Sequence, residues 1–173
     1  MGVTLALSDS PILSPPDACR EEPGSPACAA DVVRGVQRML LRRDLASLAE
    51  VPLDNGRRAD LLAVDAKGCL TIIEVKVSRA DLMGDAKWPE YLACCDRYYW
   101  AVPAGFDVAL FDQPCLLPAR AGLIVADRYD AEVVREAATE SVPAHVRRRV
   151  TLALARRAAR RVTSLTDPEA FAA

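Results

Sequence analysis

"RRADLLAVDAKGCLTIIEVKVS", residues 57–78, decides the reading of this chain. Two apolar, strand-like runs flank a turn, and each carries charge where a buried strand ordinarily has none. Asp60 interrupts the first run, and Glu74 and Lys76 interrupt the second. The linking "DAKGC" fits a three-residue hairpin loop, Ala66-Lys67-Gly68, with glycine in the left-handed position. Asp65 then pairs with Cys69, and counting back sets Asp60 directly opposite Glu74 on one face of a sheet. Lys76 emerges two residues along on that same face. Opposed Cβ atoms lie about 4.5–5.5 Å apart, where like charges destabilise. Two carboxylates this close raise one pKa unless a cation neutralises them. Oxygen donors with little nitrogen or sulfur nearby suit a hard ion such as Mg²⁺. The plainer reading is a salt bridge from Lys76 to Glu74 or Asp60.

The preceding turn, "LDNGR" (53–57), leaves a choice. A two-residue Asn55-Gly56 turn faces Glu50 away from the charges. A three-residue Asp54-Asn55-Gly56 loop sets Glu50 opposite Asp60 as a third carboxylate, because a slip of one residue exchanges the faces of a strand.

Working outward, a helical pattern covers 29–43, with Val32, Val33, Val36, Met39 and Leu40 as its apolar stripe. Strand-like runs follow at 48–53, 57–64 and 69–77. "SRAD" (78–81) is a capping-box pattern that starts a helix, and Gly84 breaks it. Pro89 suits the first turn of a second helical piece reaching about Cys95. Residues 97–102 and 121–126 read as further strands. A long helix over about 142–163 closes the domain on the stripe Val146, Val150, Leu154, Ala158 and Val162, with Arg149, Arg156 and Arg160 together on the far side. Helix, three strands, helix, strand predicts an α/β sandwich around a mixed sheet. The domain is expected over 28–166, after a loose Pro-rich arm (1–27) and before a short tail (167–173).

With 173 residues and 51% hydrophobic content, the chain suits one domain with a real core. No apolar stretch is long enough to span a membrane. The opening "MGVTLALSDSPILSPPDAC" has no cationic n-region, and Ala6 breaks the myristoylation pattern, so a cytoplasmic protein is expected. Six cysteines without a CxxC pair, beside a single histidine (His145), read as structural thiols in a reducing compartment. Net charge is −2, yet Ser141–Thr166 holds seven arginines and no acid. Without those seven, 15 basic residues face 24 acidic ones, a balance of −9. The molecule is polarised, and its arginine-rich helix is either a solvated face or a contact for nucleic-acid phosphates.

"RRAD" followed, after 13 residues, by "EVK" resembles the PD-(D/E)xK motif of the restriction-endonuclease-like nucleases. The longer stretches "GRRADLLAV", "IEVKVSRADLMGDAKWPEYLACCDRYYWAVP" and "AGLIVAD" resemble the MmcB family of bacterial DNA repair proteins, over about residues 29–163. The resemblance implies a restriction-endonuclease-like α-β-β-β-α-β core that hydrolyses DNA phosphodiester bonds with Mg²⁺ or Mn²⁺. Asp60 and Glu74 would hold the metal, joined by the Val75 carbonyl, and Lys76 would orient the attacking water or stabilise charge on the phosphate. The motif's usual proline is replaced here by the Ala59 of "RRAD". The first helix offers only Asp31 at its start and Gln37 as polar candidates for the further ligand that many such nucleases carry there, so that ligand is either missing here or supplied by Glu50. Lys87 and Tyr91, four apart on a helix, would share a face and hold phosphate or water, and Arg149, Arg156 and Arg160 would contact DNA. The aromatics between Trp88 and Phe111 read mostly as core, Trp88 among them, with base stacking by Tyr98 or Tyr99 at a sheet edge as the alternative. DNA is the expected partner, with other repair proteins beside it. The alternative is a binding module on the same fold that recognises DNA or a partner without cutting.

Overall fold

A computed structural model describes residues 28–171, so the expected N-terminal arm lies outside the described residues. The chain runs α1 (Ala29–Arg42), β1 (Leu45–Pro52), β2 (Arg58–Asp65), β3 (Leu70–Val75), α2 (Arg79–Gly84), a 3₁₀ helix (Trp88–Cys94) and β4 (Arg97–Pro103). After two short 3₁₀ turns come β5 (Ala121–Ala126), β6 (Ala131–Arg135) and α3 (Ala144–Thr166). The six strands lie side by side in chain order. The first three are antiparallel, β3, β4 and β5 are parallel, and β6 returns antiparallel at the far edge. The expected α-β-β-β-α-β order within a mixed α/β fold is therefore present.

Both faces of the sheet are buried, and side-chain alternation divides them. Leu61, Ala63, Ile73, Val75 and Tyr99 pack beneath Val32, Val36, Met39 and Leu40 of α1. Leu62, Leu70, Ile72, Tyr98 and Trp100 face the other way, under the 3₁₀ helix and the Val146, Val150 and Leu154 stripe of α3. A parallel β3–β4 pair requires a crossover. Here α2 and the 3₁₀ helix form it, lying across the face to which Asp60, Glu74 and Lys76 belong.

Ser78 caps α2 as expected, its hydroxyl accepting from the Asp81 N–H at 3.1 Å. α3 is fastened at its start by Asp96, whose buried carboxylate accepts from the Leu70 N–H (2.7 Å), the Val142 N–H (3.0 Å) and both guanidinium nitrogens of Arg147 (2.5 and 2.8 Å). Burial alone would raise this carboxyl's pKa, and the hydrogen bonds from Arg147, Leu70 and Val142 outweigh it and hold it low.

Four expectations need correction. Tyr98 and Tyr99 lie on an inner strand, 0% and 6% exposed, and neither stands at a sheet edge to stack a base. The α3 stripe stops at Leu154, and Val162 is 60% exposed. Steps of four residues advance about 40° around a helix, so a strict i, i+4 series rotates off the core. β6 was not expected: its five residues alternate between half-buried and exposed, but the exposed Val134 stands beside Val133 and hides that period in so short a run. Of the described cysteines, Cys69, Cys94, Cys95 and Cys115 are free thiols, but Cys28 is disulfide-bonded. Among the described residues, no helix is long and apolar enough to cross a membrane.

Candidate metal and catalytic site

The β2–β3 turn closes as the glycine pattern predicts. Gly68 takes φ +80°, the Asp65 N–H donates to the Cys69 carbonyl at 3.2 Å, and Leu61 and Leu62 pair with Ile73 and Ile72. Continued by one residue, this register sets Asp60 opposite Glu74. The two are laced crosswise by main chain: the Asp60 N–H donates to Glu74 Oε1 at 3.1 Å, and the Val75 N–H donates to Asp60 Oδ2 at 2.9 Å. Glu74 is 4% exposed and Asp60 half-buried.

No lysine or arginine forms an ion pair with either carboxylate among the described residues. Burial, and next the charge of Asp60, push the Glu74 carboxyl up to about 8. Burial also raises Asp60, against the opposing pull of the Val75 N–H. The molecule thus holds two hard oxygen acids face to face, with a single backbone donor on each and no ion pair to either among the described residues.

The same face carries Lys76, whose N–H donates to the Ala101 carbonyl at 2.9 Å. Its side chain is 8% exposed and crosses the Trp100 ring, with Nζ 5.9 Å from the ring centroid. Nζ meets Asp85 Oδ2 at 2.8 Å and Asp81 Oδ1 at 3.8 Å. The salt bridge to Asp60 or Glu74 that the spacing allowed is not the one formed. Burial alone would lower the ammonium's pKa, and Asp85 outweighs it, so the group stays firmly charged. Asp85 escaped the sequence reading because it follows the helix-breaking Gly84, where no periodicity indicates which way a side chain points.

The β1–β2 turn takes the three-residue form. Leu53 N–H donates to the Arg57 carbonyl at 2.8 Å, Gly56 has φ +79°, and the flanking pairs Ala49–Leu61 and Val51–Ala59 set Glu50 opposite Asp60. However, Glu50 itself adopts φ +60°, a conformation that ordinary L-residues avoid. Its carboxylate pairs with Arg58 Nε at 2.5 Å and is 44% exposed. It adds negative charge near Asp60 while being held by another cation.

Tyr91 lines the site from the 3₁₀ helix, its hydroxyl donating to the Arg58 carbonyl at 3.0 Å. Burial and the charges of Glu74 and Asp60 push its pKa up, so it stays a neutral donor. Lys87 does not share that face: it is exposed while Tyr91 is buried. The expectation assumed an α-helix, but at three residues per turn positions four apart diverge. Trp88 is a packing residue, 5.3 Å from the Tyr98 ring and 5.1 Å from that of Trp100.

Arg149, Arg156 and Arg160 are all exposed on α3. Arg149 Nε reaches Asp54 Oδ2 at 2.8 Å, in the turn that leads into β2. That flank of the helix therefore faces the end of the sheet bearing Asp60 and Glu74. Asp31, the polar candidate on the first helix, lies on the opposite face and pairs with Arg128 at 3.3 Å.

The donor set suits a hard divalent cation. Two carboxylates and the neighbouring Val75 carbonyl offer oxygen only, and no cluster of three or more His, Cys, Asp or Glu residues forms a fuller cage among the described residues. Mg²⁺ is commonly held by one or two carboxylates and completes its shell with water. A charge-unbalanced pair is also what a cation would relieve.

The comparisons agree with the family expectation. Among solved structures, the SPO1766 protein of unknown function from Silicibacter pomeroyi is 42% identical, superposes with a TM-score of 0.73, and is matched over 80% of this chain and 90% of its own. No curated protein matches. The family model described as "DNA repair protein MmcB-like" matches residues 17–169. With that match over most of its length, the chain belongs to the MmcB-like family of DNA repair proteins.

Proposed function

We propose that the protein is a metal-dependent DNA nuclease, hydrolysing phosphodiester bonds with Asp60, Glu74 and Lys76. The observation that carries this reading is the buried, opposed carboxylate pair with no cation of its own, beside a lysine held charged on the same face. Asp60, Glu74 and the Val75 carbonyl would hold Mg²⁺ or Mn²⁺; Glu50, bound to Arg58, is not required. The bound ion would polarise the phosphoryl oxygen and make water a competent nucleophile near neutral pH.

The chain's own groups supply the rest. Lys76 would orient the attacking water or stabilise the charge that builds on the phosphate, and its ion pair with Asp85 fixes where its ammonium starts from. The Asp60 and Val75 N–H groups lock the two carboxylates into one geometry, so no reorganisation is needed when substrate arrives. Tyr91 walls the site and fixes the backbone at Arg58, two residues before Asp60. Exposed Lys87 and the Arg149, Arg156 and Arg160 flank would hold the DNA backbone alongside.

The test is cleavage of labelled single-stranded, duplex, flapped, forked and mismatched DNA with Mg²⁺ or Mn²⁺, beside Glu74→Ala and Lys76→Ala. Cleavage that vanishes in both variants supports the assignment. Equal cleavage by Glu74→Ala would show that the site lies elsewhere. DNA binding with no cleavage of any substrate would replace the nuclease with a recognition module.

A further inference from the structure

Lys76 stands one residue from Val75 and two from Glu74, on a long stem, beside two carboxylates with which no lysine or arginine forms an ion pair among the described residues. Left to itself, such an ammonium would settle between them, since desolvated opposite charges attract strongly at short range. It is instead turned to α2, where Asp85 takes it at 2.8 Å and Asp81 stands behind at 3.8 Å.

Asp85 is itself held in place. The Ser78 cap starts α2, the helix ends at Gly84, and Asp85 leaves it at φ −89°, ψ 78°. One carboxylate oxygen, Oδ1, accepts from the Lys87 N–H at 3.2 Å, which leaves Oδ2 for the lysine. Its side chain is 17% exposed, so the pair is little screened by water. The Trp100 ring beneath the ammonium further limits where it can swing.

We propose that Asp85 is a positioning residue that holds the Lys76 ammonium off Asp60 and Glu74, and so keeps that carboxylate pair open for a divalent cation. This inference rests on the metal reading above. Without the Asp85 charge, the lysine would neutralise the pair and compete with the metal. An ammonium among the ligands repels a second cation, and at an effective dielectric constant of about 20 two unit charges about 4 Å apart shift an equilibrium by well over tenfold.

The experiment is calorimetric titration of the full chain with MgCl₂ and with MnCl₂, which requires no substrate. Wild type, Asp85→Asn, Lys76→Met and the double variant Asp85→Asn/Lys76→Met would be compared. Asp85→Asn should bind at least about tenfold more weakly than wild type. The double variant should return to the affinity of Lys76→Met alone, because the competing ammonium is gone. Unchanged affinity in Asp85→Asn overturns the proposal. So does a loss that the second substitution fails to repair, since that marks Asp85 as a structural support only. A wild-type protein that takes up neither ion removes the metal reading itself and this inference with it. A wild type that binds, with an indifferent Asp85→Asn, removes the inference alone. Should Asp85→Asn not fold, Asp85→Ser, which keeps a small acceptor for the Lys87 N–H, carries the same prediction, again cancelled by Lys76→Met; no loss there would overturn it.

Discussion

Replacing Glu74 by glutamine keeps the shape of the site and removes one of its two opposed ionisable groups. The amide oxygen can still accept from the Asp60 N–H, now 3.1 Å from Oε1, so the β2–β3 register should survive. What changes is the cost of ionisation. Glu74 rises from 4.5 to about 8 in the fold, first through burial and next through Asp60. A carboxyl whose folded pKa is raised contributes stability that is complete below its unfolded pKa and is lost as pH rises through the folded value. The loss therefore falls between about pH 4.5 and pH 8, toward the alkaline side. Each pKa unit is worth about 1.4 kcal/mol, which sets a ceiling of roughly 5 kcal/mol, and local relaxation brings the expected effect to about 2–3 kcal/mol. Urea unfolding in EDTA at several pH values from 5 to 9, on wild type and Glu74→Gln, measures it directly. The wild type should lose that much more stability than the variant across the interval. Parallel curves would refute the reasoning, showing that Glu74 ionises in the fold as easily as in the unfolded chain.

Three further outcomes are expected. Arg156→Ala combined with Arg160→Ala should weaken DNA binding evenly across sequences and reduce the slope of log affinity against log salt by about 2; an unchanged slope, measured by fluorescence anisotropy, would make that flank of α3 a solvated surface. Asp96→Ala should cost about 3–5 kcal/mol in urea unfolding, because it strands Arg147 and the Leu70 and Val142 N–H groups, and a cost under about 1 kcal/mol would show that α3 is fastened otherwise. Gly35→Ala should also destabilise, by about 1–3 kcal/mol, since the added carbon would meet the Asp127 carbonyl oxygen at 2.0 Å and force α1 off the β5–β6 turn; an unchanged melting temperature would count against that close packing.

Local patterns made the centre of the site legible. Gly68 requires a left-handed turn residue, a three-residue loop sets the hairpin register, and the period of two in a strand then carries Asp60 to Glu74 without tertiary information. The Ser78 cap, the Gly84 stop and the Pro89 start are likewise short-range effects of one residue on its neighbours. Glu50 stood at the limit of such reasoning. The sequence allowed two turn lengths; the fold selected the longer, and then the left-handed backbone at Glu50 and the Arg58 guanidinium turned the side chain to another partner.

By itself, then, the sequence determined the order of the elements other than β6, the hairpin register, the opposition of Asp60 and Glu74, and the family, because each depends on neighbours in the chain or on a pattern spread along it. Only the tertiary structure decided what each charge pairs with. Lys76 goes to Asp85 rather than Glu74, Arg147 to Asp96, and Arg149 to Asp54. A side-chain charge reaches several ångströms in any direction, and which opposite charge comes within that reach depends on how helices settle across a sheet, a long-range outcome that no local spacing encodes.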